Sequence, residues 1–261
     1  MRKENRMIDG ISVDYVLPDE PSAKPPIIFV HGGSHGSWCW EKFQTYFASL
    51  GHETLALNWY NHPGSKTLSN EEFCKRSILD VVTELDIVTR TLDRKAILFG
   101  HSMGGLASLH YSTIQSVAAL ILLAPVLPSV IGAPQIQVAP IDLDQAFPVP
   151  PFDQAYYMFF KGNTSEEAHE YYQKLVPESA QAVHEASYAS ADVDISKVLV
   201  PSFVIGAGED ILTPHDRVQL LAEKINATYV FLPDRSHNLL LEPNWEETAD
   251  LIQLWMKDNM K

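Results

Sequence analysis

The chain has 261 residues, of which 46% are apolar and 20% charged, as in a folded globular protein of one or two domains. Its formal net charge of −14 argues against nucleic acid or an anionic membrane surface as a partner, because both attract clustered Lys and Arg. The N-terminal stretch MRKENRMIDG lacks the apolar core of a secretory signal, and no apolar run reaches the roughly 18 residues of a membrane helix. We therefore expect a cytoplasmic protein.

Short apolar runs recur along the chain, and most of them end in glycine or proline. They lack the polar alternation of a strand with one face in water, so we predict strands buried on both faces of a mostly parallel sheet. The predicted strands are residues 26–30, 53–59, 96–99, 117–123, 202–205 and 228–232.

Amphipathic segments separate these runs. Ser69 and Glu72 have the spacing of a capping box, which predicts a helix extending to about residue 91. Further helices are predicted at 104–113, after Thr213-Pro214, and from about Asn244. This alternation predicts an α/β fold with a mostly parallel central sheet and helices on both faces.

One stretch breaks the alternation. Between residues 125 and 198 prolines and aromatics cluster, and two helical patterns follow at 165–175 and 177–189. A segment of this length is not a plain loop. We predict that residues 126–198 form a small, mainly helical cap on a core made of residues 1–125 and 199–261.

The strongest chemical signal is Gly-His-Ser-Met-Gly at residues 100–104. It follows a predicted strand and precedes a predicted helix, which is the context of a nucleophile elbow. The turn is so tight that small residues are needed on both sides of the serine. Ser102 is therefore the predicted catalytic nucleophile, and the competing interpretation is a structural turn that matches the pattern by chance.

A nucleophilic serine needs a base, and the base needs an acid to orient it. Asp210 and His237 each follow a predicted strand, in the chain order Ser, Asp, His that this architecture uses. Glu209 is an alternative acid. Asp234, close to His237 in sequence, is more typical of a turn.

The loop after the first predicted strand reads His31-Gly32-Gly33-Ser34. We predict that the backbone N–H groups of Gly33 and Met103 form an oxyanion hole, with Ser34 as the fallback for Gly33. His31 is expected to brace this loop. His31 and His35 lie four apart on a glycine-rich loop rather than a helix, so no metal site or cofactor is expected. Cys39 and Cys74 are expected to be free thiols, with a disulfide left open.

The elbow, the glycine-rich loop and the late Asp and His together resemble the α/β-hydrolase superfamily over nearly the whole chain. The stretch from His31 to Trp40, HGGSHGSWCW, is similar to that of the plant methyl esterase and hydroxynitrile lyase group. That resemblance implies that Gly33 carries the oxyanion N–H. Serine at the elbow separates this chain from the dehalogenase and epoxide-hydrolase branches, which have Asp there.

These residues predict hydrolysis of small to medium, fairly apolar carboxylic esters through an acyl-enzyme, by a monomer or small homo-oligomer. A lyase or acyltransferase on the same triad, and a receptor of the same fold with low turnover, are the alternatives. Several residues are candidates for contact with the substrate. Their alternative role is packing, either between cap and core or behind the oxyanion loop. These candidates are Ser34, Trp38, Tyr156, Phe159 and Phe160.

Overall fold

The computed structural model describes residues 1–136 and 139–260, and within them one eight-stranded sheet forms the centre of the molecule. The strand order is β1-β2-β4-β3-β5-β6-β7-β8. Strands β3 to β8 run parallel, whereas β1 and β2 are antiparallel to their neighbours. The α/β prediction is confirmed. The strands are β1 (Arg2–Ile8), β2 (Ile11–Leu17), β3 (Ile27–Val30), β4 (Thr54–Leu57), β5 (Ile97–His101), β6 (Ala119–Leu123), β7 (Ser202–Ala207) and β8 (Thr228–Leu232).

Helices cover both faces of this sheet. Helices α3, α4 and α8 pack on one face, and α1 and α9 pack on the other. Within residues 1–136 and 139–260, no helix has both the length and the apolar character needed to cross a bilayer. The helices are α1 (Glu41–Ser49), α2 (Asn70–Cys74), α3 (Val82–Thr89), α4 (Met103–Ile114), α5 (Phe152–Ala155), α6 (Ser165–Tyr172), α7 (Ala180–Tyr188), α8 (His215–Lys224) and α9 (Trp245–Asn259).

Strand β3 illustrates why the apolar runs lack polar alternation. Ile28 and Val30 face the core cluster that contains α3, α4 and α8, whereas Ile27 and Phe29 face the cluster that contains α1 and α9. Because successive side chains point to opposite faces, a strand between two helical layers is apolar at every position. The edge strand β8 departs from this expectation, since Phe231 is 43% exposed.

Two features of the N-terminal half differ from the sequence prediction. Strands β1 and β2 form a hairpin that was not predicted, although its turn is Asp9-Gly10 with φ angles of 45° and 85°, a pair typical of tight hairpins. The single helix predicted for residues 69–91 is three pieces, α2, a 3₁₀ turn at Ile78–Val81, and α3. The capping box at Ser69 is present, but a second one at Ser77 starts a new helical segment.

Residues 126–198 connect β6 to β7 and contain α5, α6 and α7. Helix α5 continues as a π-helical turn, Tyr156–Phe160. The helix expected from residue 177 begins only at Ala180, because Glu178 instead pairs with Phe147 in an antiparallel bridge. The Ser129 N–H donates to the Ala191 carbonyl at 2.8 Å, so the chain leaves and re-enters the body of the protein at one point.

The two cysteines do not form the disulfide that the sequence left open. Cys39 and Cys74 are both free and buried. Burial raises the pKa of the Cys39 thiol far above its ordinary value, so this side chain behaves as a small apolar group.

Gly104 packs directly against the backbone of β3 and the loop after it. A Cβ at this position lies 2.3 Å from the His31 carbonyl oxygen, and backbone cannot move aside as a side chain can. We expect Gly104→Ala to lower the free energy of unfolding by about 3 kcal/mol or more, measured by urea denaturation.

Gly132→Ala is the matched control for that measurement. Gly132 has φ +65°, yet a Cβ there meets its nearest atom only at 3.9 Å. Its expected cost is therefore the conformational term alone, about 1 kcal/mol. Equal urea-denaturation midpoints for Gly104→Ala and Gly132→Ala contradict the proposed clash at position 104.

Candidate active site

Ser102 lies between β5 and α4 with φ 53° and ψ −122°, a conformation that costs a non-glycine residue free energy. Backbone hydrogen bonds hold it there. Its N–H donates to Leu123, and its carbonyl accepts the N–H groups of Gly105 and Val126, with distances of 2.9–3.1 Å. A Cβ on Gly100 lies 2.5 Å from the Gly104 carbonyl oxygen, so the tight turn requires glycine, as predicted.

His237 and Asp210 meet at the carboxyl edge of the sheet. His237 Nδ1 lies 2.8 Å from Asp210 Oδ2, and both side chains are almost completely buried. Since an ionised carboxylate only accepts hydrogen bonds, Nδ1 is the donor, and Nε2 is the nitrogen at which the ring can accept a proton. His237 Nε2 is buried and has no hydrogen-bond partner among the described residues.

Four hydrogen bonds converge on the Asp210 carboxylate. Oδ1 accepts the N–H groups of Leu212 and Thr213 at 2.7 and 3.0 Å, and Oδ2 accepts the Thr213 hydroxyl as well as His237. Burial acts to raise the pKa of Asp210. Attraction to His237 and these hydrogen bonds outweigh it, so the pKa lies below its ordinary value and the carboxylate is ionised at neutral pH.

The alternative acids lie elsewhere. Glu209 is half exposed and pairs with Lys161 at 2.8 Å, so it does not orient His237. Asp234 lies in an exposed turn, as expected from the sequence.

Neighbouring residues fix the backbone around His237. Nε2 of His101, the residue directly before Ser102, lies 2.9 Å from the His237 carbonyl oxygen. The Ser236 N–H and hydroxyl both donate to Glu242 Oε1. These contacts connect His237 to the turn at Ser102 and limit its movement.

The Gly33 N–H is the predicted oxyanion donor, and the loop that carries it is braced by two histidines. His31 Nδ1 lies 2.8 Å from the Gly32 carbonyl oxygen, and His35 Nδ1 lies 2.7 Å from the Gly33 carbonyl oxygen. No described residue accepts a hydrogen bond from the Gly33 N–H. Met103 is the first residue of α4, so its N–H has no acceptor within the helix.

Ser34 is excluded as the fallback donor. Its N–H donates to Glu178 Oε2 at 2.8 Å and is not free for an oxyanion. Sequence reasoning did not identify Glu178, because the two residues are 144 positions apart and no local pattern connects them.

A narrow apolar cavity of about 70 Å³ adjoins Ser102. It has room for about five to seven water-sized groups. No charged side chain lines it within residues 1–136 and 139–260. The lining residues are Gly33, Ser34, Ser102, Met103, Val126, Ile136, Phe147, Pro150, Met158, Phe159, Val183, Ala186, Ser187, Leu212 and Thr213.

Only two of the five predicted contact residues, Ser34 and Phe159, line this cavity. Trp38 stacks on His35 behind the oxyanion loop, with ring centroids 5.3 Å apart, and Tyr156 packs on its aromatic neighbours in the π-helical turn. Phe160 is completely buried in the core. These three side chains do not line the cavity beside Ser102, and their contacts are with neighbouring aromatic residues. Phe147, Met158 and Val183 line the cavity but were not predicted. Phe147 lies in a proline-rich tract without periodicity, whereas Met158 and Val183 lie in helical turns whose placement beside Ser102 has no local sequence signal.

No group of three or more His, Cys, Asp or Glu side chains is arranged to hold a metal ion in the part of the chain that the structure describes. The ring nitrogens of His31 and His35 are instead occupied by backbone and side-chain partners.

A sequence model described as the alpha/beta hydrolase family matches residues 27–251, which include all the residues of this site. The chain belongs to that family. Among solved structures, it is similar to an enol-lactonase from Burkholderia xenovorans, with a TM-score of 0.76 at 15% identity over 97% of this chain and 100% of that one. It is also similar to a methylesterase from Arabidopsis, with a TM-score of 0.67 at 22% identity over 88% and 98% of the two chains. At these identities the likeness shows the fold alone.

Curated relatives of this α/β-hydrolase include two plant enzymes. Methylesterase 4 from Arabidopsis thaliana is 30% identical over 122 residues, which is 44% of each chain. Norfluorocurarine synthase 1 from Strychnos nux-vomica is 30% identical over 112 residues, 41% of each chain. The alignments thus span less than half the length of these relatives.

Proposed function

We propose that this α/β-hydrolase cleaves carboxylic esters with Ser102 as nucleophile, His237 as general base and Asp210 as the acid that orients the base. One observation carries the proposal: His237 is bonded at Nδ1 to a buried carboxylate, and its Nε2 is buried without a hydrogen-bond partner among the residues that the structure describes. The ring lies 4.8 Å, centroid to centroid, from that of His101 in the elbow. A lone pair kept out of water in this position is suited to accept the serine proton. The similarity to methylesterases agrees with this chemistry.

In the first step Ser102 Oγ attacks the ester carbonyl while its proton moves to His237 Nε2. The N–H groups of Gly33 and Met103 stabilise the tetrahedral oxyanion. Collapse breaks the ester C–O bond, and the alcohol leaves with the proton from His237. Water then attacks the acyl-enzyme, gives a proton to Nε2, and releases the acid when Ser102 recovers that proton.

The cavity supports compact, neutral, apolar esters as substrates, because its wall is apolar and none of its described lining residues is a cation that could hold a charged group. Residues 126–198 supply Phe147, Met158 and Val183 to this wall, so we assign them the role of a substrate-selecting cap. The cavity does not favour the lyase alternative, since no lysine is among the lining residues in the described part of the chain.

The test is a panel of p-nitrophenyl esters of increasing acyl length, run together with a fluorophosphonate label. We expect labelling of Ser102 and turnover that falls as the acyl chain outgrows the cavity. A wild-type protein that neither takes the label nor hydrolyses any ester refutes the proposal. Cleavage of a cyanohydrin without ester hydrolysis assigns the site to a lyase instead.

Phe159 sets the size of the cavity in this scheme. It contacts His35 edge to face at 5.3 Å and lines the cavity wall. We expect Phe159→Ala to shift the preferred acyl chain towards longer esters, with kcat/KM for them rising about 10-fold relative to acetate. Tyr156→Ala removes a neighbouring aromatic that does not line the cavity, and it is expected to leave the preference unchanged. The same shift in both variants contradicts the assignment.

A further inference from the structure

Ser34 is tied to the 126–198 segment through both of its backbone groups. Its N–H donates to Glu178 Oε2 at 2.8 Å, and its carbonyl accepts the Val176 N–H at 3.0 Å. Ser34 has φ 61°, a left-handed conformation that a serine keeps only when its surroundings hold it. The stretch 176–178 therefore holds the loop that carries Gly33.

Glu178 is a buried carboxylate, and both of its oxygens have hydrogen-bond partners. Oε1 accepts the Ser179 N–H at 2.8 Å, while Oε2 accepts the Ser34 N–H and lies 3.2 Å from His62 Nε2. Only 2% of Glu178 and 3% of His62 are exposed. Burying a carboxylate costs free energy unless it is paired and hydrogen-bonded. A carboxylate kept in this position is therefore a candidate for a function beside the loop.

His62 is the side-chain partner of this carboxylate. Its Nδ1 lies 3.2 Å from the Tyr60 carbonyl oxygen, so both ring nitrogens face acceptors. Burial acts to raise the pKa of Glu178. Attraction to His62 and the hydrogen bonds from His62, Ser34 and Ser179 outweigh it, so this pKa lies below its ordinary value and the carboxylate is ionised at neutral pH. This carboxylate is close to the residue that carries the proposed oxyanion donor, since Glu178 Oε2 lies 3.5 Å from where a Cβ on Gly33 would be.

We propose that Glu178 is a positioning residue that aims the Gly33 N–H, so the oxyanion hole is complete only while the stretch 176–178 is docked on the loop. The peptide between Gly33 and Ser34 is held at both ends, its carbonyl by His35 and its N–H by Glu178. The peptide before it is held at the Gly32 carbonyl by His31. With both planes fixed, the Gly33 N–H has one direction left.

The variant that tests this is Glu178→Gln. Its NH₂ group has an acceptor in His62 Nε2, which lies on the Oε2 side, and in that position it faces the Ser34 N–H and cannot accept from it. Glu185→Gln is the matched control. Glu185 is a buried carboxylate of the same segment that accepts the Ser77 hydroxyl and the Ile78 N–H, each at 2.9 Å, and it does not touch the loop.

The first readout is hydrogen exchange at the Ser34 amide, which needs no activity. We expect Glu178→Gln to accelerate exchange there about 10-fold or more, and Glu185→Gln to leave it unchanged. Equal exchange in Glu178→Gln and wild type overturns the proposal. Glu178→Asp keeps the charge but shortens the reach by one methylene, so it gives the same test if the glutamine variant does not fold.

The second readout rests on the proposed function. We expect Glu178→Gln to lower kcat about 10- to 100-fold with little change in KM, and to weaken a trifluoromethyl ketone inhibitor by the same factor, because both depend on the oxyanion donors. A similar loss in Glu185→Gln reduces Glu178 to a structural role and overturns the proposal. If wild type hydrolyses no ester, the proposed function fails, and exchange at Ser34 still decides whether Glu178 holds the loop.

Discussion

Ser102→Ala is expected to lower kcat for ester hydrolysis by at least about 10³-fold, and by up to about 10⁶-fold. Without Oγ no acyl-enzyme forms, and the remaining rate comes from water attack on an ester polarised by the oxyanion donors. The elbow backbone is held by its own hydrogen bonds to Leu123, Gly105 and Val126, so the fold is expected to survive the change. The measurement is single-turnover hydrolysis of the preferred p-nitrophenyl ester, with thermal denaturation to verify folding.

Ser108→Ala is the control for that experiment. Ser108 is a completely buried serine on α4, one helical turn beyond the elbow, and its hydroxyl has no partner among the described residues. Turnover and fluorophosphonate labelling are expected to match wild type in this variant. Equal turnover in Ser102→Ala and wild type excludes Ser102 as the nucleophile.

Asp210→Asn is expected to reduce kcat by about 10⁴-fold while the fold is retained. The backbone N–H groups of Leu212 and Thr213 both point at Oδ1, so the single oxygen of asparagine is drawn to that side. Its NH₂ group then faces His237 Nδ1 and forces the proton onto Nε2. The base is thereby held in the tautomer that cannot accept a proton from serine.

Glu209→Gln separates this effect from a general loss of charge near the site. Glu209 is the adjacent carboxylate and pairs with Lys161 at the surface, so its variant is expected to keep wild-type kcat. A comparable loss in both variants contradicts the assignment of Asp210.

Asp210→Asn is also expected to change how the stability of the fold depends on pH. The pKa of Asp210 is lowered in the folded protein, so its ionised form stabilises the fold above the unfolded pKa of about 4, and this stabilisation is lost as the pH falls through the folded value. The difference in free energy of unfolding between wild type and Asp210→Asn is therefore expected to be largest near pH 7 and to shrink below pH 4. Urea denaturation at a series of pH values measures it.

Elements whose local pattern agrees with their packing were predictable from the sequence. Strands β3 to β7 are buried at every position because helices cover both faces, and α8 begins directly after Pro214. The β1–β2 hairpin was missed because β1 is an exposed edge strand with a largely charged sequence, RKENRMI. For such a strand the Asp9-Gly10 turn is the stronger signal.

Within the site, chain order was sufficient to select Ser102, Asp210 and His237 as candidates, since each follows a strand of the same sheet. The cavity wall and Glu178 were not predictable in this way. Their positions depend on how residues 126–198 fold back over β3 and β5, which involves contacts between residues more than 100 positions apart. Aromatic content alone predicted that Trp38, Tyr156 and Phe160 contact the substrate, and none of these residues lines the cavity beside Ser102.

The hydrogen bond between Ser129 and Ala191 makes the excursion from 130 to 190 a closed loop with adjacent ends. The entropic cost of closing such a loop rises only slowly with its length. Excursions of different size can therefore start and end at the same two residues with little change in the free energy of unfolding. Chimaeras that exchange this excursion between family members are thus expected to fold. Those that lack an acceptor for the Ser34 N–H are expected to fold with kcat lowered about 10- to 100-fold. Position 178 is then the constraint on exchanging substrate ranges by recombination.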